Sequence, residues 1–315
     1  MYINALAHYL PEKIVPNAYF LNVNGLTDEW IEARTGIKER RKAATGENTN
    51  TMAIRALRNA IASLPYPKDE VDLVVGATYS PYDTVGTLAH AVQFELGVNH
   101  IPAVTISAAC SSFLNAIEIV EGYFATGKAT KALVVVSEHN TAYANEEDTM
   151  AGHLWGDGAA AVFISREQQS DKDLYIREIS TKGAALVGKG IEGVVLRPFD
   201  GGIIMPHGRD VFINACQYMA QTTDEILKKN GYSIDELTYF IPHQANMRIS
   251  RNVAEQLKLP EEKIVSNIQY LGNTGCAGCA IGLSERQSDY KTGDVIVVSV
   301  FGGGYSYGAM LLEAC

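Results

Sequence analysis

Three short stretches of this sequence carry side chains that together could form and use a covalent thioester. Cys110 sits in Ile106-Ser-Ala-Ala-Cys-Ser-Ser-Phe113, between a strand-like run and a helix-like run. A cysteine at a helix start feels the positive end of the helix dipole, which favours thiolate over thiol and suits a nucleophile. Its neighbours Ala108, Ala109, Ser111 and Ser112 are small and leave room for a substrate. Taken alone, the segment reads equally well as an ordinary buried cysteine.

His243 lies in Ile241-Pro-His-Gln-Ala-Asn-Met-Arg248, past an apolar strand and at the opening of a helix. A lone histidine is more often structural, but a strand end beside Gln244 and Asn246 suits a placed imidazole. Asn273, in Tyr270-Leu-Gly-Asn-Thr-Gly-Cys276, has the residue type of a turn or helix cap and also of a neutral hydrogen-bond donor. Phe301-Gly-Gly-Gly-Tyr305 is either a tight turn or a loop that offers backbone N–H groups to a negative oxygen. Gly156-Asp-Gly158 precedes a strand and so makes no dinucleotide fingerprint. Cys276-Ala-Gly-Cys279 has redox or zinc spacing, but no second Cys/His pair stands near it. It reads as a small-residue helix, and no metal is expected.

The elements that must position these groups alternate between strand and helix, the pattern of a layered α/β fold. Val71–Gly76, Ala103–Ser107, Ala132–Ser137 and Ala159–Ile164 read as strands, with a helix from about Ser111 to Thr126. The order then repeats: strand Leu237–Ile241, helix Gln244–Leu257, strand Lys263–Asn267, an Ala/Gly-rich helix after Asn273, strand Asp294–Val300 and strand Gly308–Glu313. Cys110 and Asn273 stand at matching places in the two series, as do Leu133 and Ile296. That order predicts two duplicated halves, 1–165 carrying the cysteine and 166–315 carrying His243 and Asn273. The polar run Ser165–Lys172 marks the boundary. Ligand sites of such folds lie at the carboxyl ends of the strands, where the two halves would bring Cys110 and Asn273 together.

Composition narrows the class. A chain of 315 residues, 47% of them hydrophobic, can bury a large core. With 36 acidic and 26 basic residues and a net charge of -10, it is not a general nucleic-acid binder. No run approaches the roughly 20 apolar residues of a membrane span, and Met1–Leu10 lacks a targeting pattern. Five sparse cysteines read as reduced thiols, so a cytoplasmic location is expected.

Taken together, these motifs resemble the thiolase-fold condensing enzymes, most closely β-ketoacyl-acyl-carrier-protein synthase III. The match runs through Asp28-Glu-Trp-Ile31, Arg34-Thr-Gly-Ile37, Ala108-Ala-Cys110, Gly156-Asp-Gly-Ala159, Pro242-His-Gln-Ala-Asn246, Gly272-Asn-Thr274 and Phe301-Gly-Gly-Gly304. It spans nearly the whole chain. The resemblance implies a five-layered αβαβα fold, a homodimer, no cofactor, and acyl-CoA and acyl-carrier-protein thioesters as substrates. Cys110 would take the acyl primer, with the N–H groups of Cys110 and Gly303 as the oxyanion hole. His243 and Asn273 would stabilise the enolate formed as a malonyl thioester loses carbon dioxide. Sibling families fit less well: an elongating synthase carries a second histidine where Asn273 stands, and a hydroxymethylglutaryl-type synthase wants a glutamate near Thr78 and Tyr79.

By the same resemblance Trp30 and Arg34 contact the nucleotide of CoA, and Asn246 lies near the pantetheine arm. The arginine expected to complete the adenine stack is Thr149, a loss of about 0.5–2 kcal/mol that favours a carrier protein as donor. Arg248 and Arg251 are the expected carrier-protein docking residues, although Ile213, Glu255 and Gln256 stand where further basic residues belong. Val85, in Ser80-Pro-Tyr-Asp-Thr-Val-Gly86, takes the place of a phenylalanine that gates the partner's acyl pocket, which predicts primers longer than acetyl. Fatty acid initiation is the expected role. The alternative is a condensing enzyme or acyltransferase of a secondary-metabolite pathway using longer or carrier-bound primers; a silent carrier-binding scaffold is the reading outside enzymes.

Overall fold

The computed structural model describes all residues, 1–315. Nine strands form one mixed sheet: β1 (Tyr2–Tyr9), β2 (Leu73–Ala77), β3 (Ala103–Ile106), β4 (Lys131–His139), β5 (Asp157–Ser165), β6 (Leu174–Gly183), β7 (Leu237–Pro242), β8 (Val295–Gly302) and β9 (Ser306–Ala314). Their order across the sheet is β7-β8-β9-β6-β1-β5-β4-β2-β3. The helices that matter here are α1 (Asp28–Thr35), α2 (Thr49–Ile61), α3 (Leu88–Leu96), α4 (Ser112–Ala125), α5 (Gly208–Lys229), α6 (Met247–Leu257) and α7 (Ala277–Glu285).

The strand pairing repeats. In the first series β1 runs antiparallel to β5, β5 antiparallel to β4, and β4 parallel to β2. In the second, β6 is antiparallel to β9, β9 antiparallel to β8, and β8 parallel to β7. The two series meet where Tyr2 and Ile3 pair with Tyr175 and Leu174. The joining strands β1 and β6 have no counterpart in the sequence expectation. They take half-buried places between the series, where the apolar run is weaker than in β2 or β8. β3 has only a vestigial partner in the second series. The expected strand Lys263–Asn267 is a short helical turn at 261–263 followed by one parallel bridge, Phe240 to Ile264.

Alternation along the strands sorts the core into layers, because successive side chains face opposite sides. Leu133 and Val135 pack outward with Met52 and Leu57 of α2 and Val92 of α3. Val134 and Val136 face inward, sharing one core with Ile117 of α4, Ile281 of α7, and Ile296 and Val298 of β8. Val295 and Val297 pack on the far side with Met219 of α5 and Val253 of α6. The result is helix, sheet, helix, sheet, helix. Strands buried on both faces read as continuous apolar runs, as β4, β5 and β8 do.

Both central helices start beside a site residue. α4 follows Cys110 and α7 follows Asn273, so the inner layer aims two helix starts at one place. A smaller cap roofs that place. It gathers Phe20, Ile31, Leu154, Trp155, Ile203 and Met247 into a separate apolar cluster. No helix is long and apolar enough to cross a membrane.

Candidate active site

Cys110 stands on a tight turn between β3 and α4. Ala109 before it holds a left-handed φ of 50°, unusual for a residue with a side chain. Ser112 fixes the turn, accepting from the Ala108 N–H at 2.7 Å and donating to the Ala109 carbonyl at 2.6 Å. Gly302 of β8 lies directly against it, and a Cβ built there would stand 2.6 Å from the Cys110 nitrogen. The glycine loop that follows is tethered by Tyr305, whose hydroxyl donates to Asp210 at 2.6 Å.

His243 leaves the carboxyl end of β7, and its N–H donates to the Ser299 carbonyl of β8 at 2.8 Å. The helix after it begins three residues later than the sequence suggested, at Met247. Gln244 turns inward instead. Its Nε2 donates to the carbonyls of Pro242 at 2.6 Å and Val265 at 3.1 Å, and its Oε1 accepts from the Asn267 N–H at 3.0 Å. This buried amide fixes the direction of the His243 turn.

Asn273 is held on both backbone sides. Its N–H donates to the Leu154 carbonyl at 2.7 Å, and its carbonyl accepts from the Gly156 N–H at 3.0 Å and the Asn140 Nδ2 at 3.1 Å. Its side-chain oxygen accepts from the Gly275 N–H at 2.9 Å, which leaves Nδ2 as the free donor. Cys110, His243 and Asn273 together line one narrow cavity, along with Phe301, Gly302 and Gly303. A second cavity of about 260 Å³ adjoins it at Cys110, lined by Tyr79, Trp155, Val194, Leu196, Ile203 and Gly303.

Electrostatics correct one expectation. Burial pushes the Cys110 thiol up to about 12, and the charge of Glu138 adds to the rise. The cysteine also sits outside the helix proper, before the cap residue Ser111. The resting nucleophile is therefore a neutral thiol. Burial pulls His243 down to about 4, so its imidazole is neutral as well. Its Nδ1 is enclosed without a partner, which leaves Nε2 as the nitrogen able to reach the cavity.

Glu138 was not foreseen. It ends β4 with its carboxyl fully enclosed, accepting from the Cys276 thiol at 2.9 Å, the Thr78 hydroxyl at 3.0 Å, the Ser80 N–H at 3.1 Å and the Tyr79 N–H at 3.3 Å; the Ser80 hydroxyl also donates to it. Burial raises it to about 7, although these donors oppose the shift. An acid closing the apolar run Ala132–Ser137 was the available signal. Thus no glutamate occupies 78 or 79, yet a carboxyl from the next strand lies against both. Cys276 and Cys279 are buried, unpaired thiols, and no cluster of three or more His, Cys, Asp or Glu side chains is placed to hold a metal.

The outer expected residues are scattered around the mouth. Arg34 lies over the Trp30 ring at 4.2 Å, both on α1, while the exposed Thr149 supplies nothing to that stack. Asn246 caps α6, accepting from the Arg248 N–H at 2.9 Å and donating to the Arg34 carbonyl at 3.1 Å, so its amide is occupied within the protein. Arg248 is exposed near Phe212, and Arg251 pairs with Glu261 at 3.1 Å. Val85 is 86% exposed and lines neither cavity of its own chain.

A layered, duplicated α/β fold with Cys, His and Asn converging at strand ends defines a thiolase-fold condensing enzyme of the acyltransferase type. The description "3-Oxoacyl-[acyl-carrier-protein (ACP)] synthase III" matches residues 104–183, and its C-terminal counterpart matches residues 227–314. The chain is 36% identical to a β-ketoacyl-[acyl-carrier-protein] synthase III of Aquifex aeolicus, over 97% of this chain and 96% of that one. A crystal structure of 3-oxoacyl-[acyl-carrier-protein] synthase III from the same organism superposes with a TM-score of 0.92, at 35% identity and 99% coverage of both chains. The priming β-ketosynthase of the R1128 polyketide pathway superposes with a TM-score of 0.89 at 28% identity, covering 99% of this chain and 96% of that one. The chain belongs to the β-ketoacyl-acyl-carrier-protein synthase III family.

Proposed function

We propose that this enzyme condenses an acyl primer with malonyl-acyl-carrier protein to give a β-ketoacyl thioester, as the initiating step of fatty acid synthesis. The observation that carries the reading is the shared cavity of Cys110, His243 and Asn273. In the first step the Cys110 sulfur bonds to the primer carbonyl carbon and the carrier's C–S bond breaks. The thiol proton leaves with the carrier thiolate. The N–H groups of Cys110 and Gly303, neither used in a backbone hydrogen bond outside the regular elements, are the donors assigned to the oxyanion.

A malonyl thioester then occupies the same mouth. Its bond to the carboxylate breaks, carbon dioxide leaves, and the electron pair spreads onto the thioester oxygen. The Nε2–H of neutral His243 and the Nδ2–H of Asn273 are assigned to that oxygen. Neutral donors suit this step, because an imidazolium would quench the enolate by protonating it. The carbanion attacks the acyl carbon, the bond to the Cys110 sulfur breaks, and the returning thiolate takes a proton from solvent. Thioesters carry all of this chemistry, so no resident cofactor or metal is needed.

Primers longer than acetyl are assigned to the 260 Å³ cavity beyond Cys110, whose lining is largely apolar. Arg248, Arg251 and the neighbouring face of α6 are assigned to carrier-protein docking. A homodimer is supported by the edge strand β3, unpaired on its outer side, by Phe94, 88% exposed on the helix α3 that packs against β3, and by Val85, 86% exposed on the loop before that helix. We assign the halves to 1–165 and 166–315, and the enzyme to the cytoplasm, where its five unpaired cysteines remain reduced.

The test is Cys110→Ala assayed with acyl-CoA and acyl-carrier-protein thioesters. The parent should show an acyl adduct on Cys110 by mass spectrometry, and the variant none. Malonyl-carrier protein should still lose carbon dioxide in the variant. Parent protein that never acquires an adduct from either donor class would defeat the reading.

A further inference from the structure

Tyr79 has no part in the chemistry above, yet its side chain lies at the centre of the site. Its ring lines the 260 Å³ cavity with Cys110, and its hydroxyl is enclosed and makes no regular hydrogen bond, although the Asn140 amide approaches it. A buried, unsatisfied phenol costs on the order of 1–3 kcal/mol, so an O–H kept in that state at a reaction centre calls for a use.

The backbone around it is fixed to hold the ring there. Glu138 accepts from the Tyr79 N–H, from the Thr78 hydroxyl before it and from the Ser80 N–H after it. Opposite, Gly275 has a left-handed φ of 57°, and a Cβ there would stand 2.2 Å from the Tyr79 hydroxyl. That glycine also holds the Asn273 amide, so one turn positions both the carboxamide and the phenol.

We infer that Tyr79 is a catalytic residue, whose hydroxyl donates a hydrogen bond to the Cys110 sulfur as that sulfur gains negative charge during primer transfer. The inference rests on the acyl-transfer reading of Cys110. Tyr79 keeps its own proton throughout: the thiol proton still departs with the carrier thiolate, and no bond of Tyr79 is made or broken. Tyr79 is the one side chain that pulls the Cys110 thiol back down against burial and the charge of Glu138. Its hydroxyl makes no regular hydrogen bond at rest and shares a cavity with the sulfur, and such a donor engages when the acceptor becomes charged.

Other groups facing Cys110 do not supply this. Glu138 on β4 is acidic and repels a thiolate. Cys276 and Cys279 on the α7 side are neutral thiols raised by burial. His243 is a neutral imidazole assigned to the other substrate. The Asn273 amide, which shares the narrower cavity with Cys110, is likewise assigned to the other substrate, so with no cation at Cys110 the phenol is the donor side chain left over.

The experiment is Tyr79→Phe, which keeps the ring against Gly275 and removes only the hydroxyl. The rate of Cys110 alkylation by iodoacetamide, followed by mass spectrometry against pH, reports the thiol without any condensation. We expect the alkylation rate at a fixed pH near neutral to fall about ten- to a hundredfold. Malonyl decarboxylation, measured in a Cys110→Ala background, should fall much less than alkylation does when Phe replaces Tyr at 79. Site-specific 3-fluorotyrosine at 79, a stronger donor, should raise the alkylation rate at the same pH, and this holds even if the Phe variant folds poorly. An alkylation profile indifferent to both changes would overturn the inference. Should the profile shift while no thioester ever acylates the parent, Tyr79 would stand and the condensing reading would fail.

Discussion

Gly302 lies so close beneath Cys110 that a methyl group built on it would sit 2.6 Å from the Cys110 nitrogen and 3.2 Å from its Cα. The contact is backbone against backbone, so neither side can yield cheaply. It joins the last strand before the glycine loop to the nucleophile turn, across the seam of the two series.

Gly302→Ala should therefore cost acylation more than stability elsewhere. The added carbon pushes the Cys110 N–H away from its aim, and losing one oxyanion donor typically costs a hundred- to a thousandfold in rate. The expected outcome is a drop of about that size in Cys110 adduct formation. Decarboxylation in the Cys110→Ala background should change much less.

His243 carries the second prediction. Because burial holds it near 4, the ring stays neutral through the whole range from pH 5 to 8. Malonyl decarboxylation in the Cys110→Ala background should be flat across that range, with no acid limb near the ordinary histidine value of about 6.5. His243→Ala and Asn273→Ala should each lower the rate about a hundredfold or more. Linkage gives a companion sign for stability. A histidine depressed on folding contributes stability above about 6.5, and that contribution is lost as pH falls toward 4.

Glu138 gives the opposite sign. Its carboxyl is raised from about 4.5 to about 7 on folding, so the folded protein binds this proton more tightly than the unfolded chain. The contribution is fully present below about pH 4.5 and is lost as pH rises through 7, a change of roughly 3 kcal/mol. Glu138→Gln should remove that slope from denaturant midpoints measured between pH 5 and 7.5. It should also raise the Cys110 alkylation rate above neutral pH, because a negative neighbour of the thiol is gone.

The reactive set was legible in the sequence because each member follows an apolar run at a chain reversal, where a small or polar residue has little other reason to sit. Cys110, His243 and Asn273 all fit that description. The layers were legible for the same reason, since strands buried on both faces leave unbroken apolar runs. What escaped depends on contacts across the sheet. Glu138 and Tyr79 matter through each other and through Gly275, which are 59 to 196 positions apart, and no local pattern joins them. The thiolate expectation at Cys110 took in the helix start but not burial or Glu138, both of which push the thiol up and neither of which shows in the local sequence. The strand expected at Lys263–Asn267 failed because Pro260, Glu261 and Glu262 open it as an exposed turn.

Arg40 provides the last prediction, and it too is invisible as a pattern. Its guanidinium is buried with no carboxylate in contact. It donates to the Val15 carbonyl at 2.9 Å, the Asn17 side-chain oxygen at 2.8 Å and the His153 carbonyl at 2.8 Å, and lies over the Phe20 ring at 4.7 Å. Burial pulls it down to about 10, so it remains charged at neutral pH. The segment it grips by His153 supplies the Leu154 carbonyl and the Gly156 N–H that hold the Asn273 backbone. Arg40→Met would strand three acceptors, each costing on the order of 1–3 kcal/mol, so a loss of about 3 kcal/mol or more is expected in denaturant unfolding. Arg40→Lys keeps the charge but cannot reach three acceptors with one planar fork, and should recover only part of it. In the folded fraction of either variant, decarboxylation should fall while Cys110 alkylation holds, because the grip acts on Asn273 and not on the thiol. Equal loss of both activities would mean that Arg40 supports the fold alone.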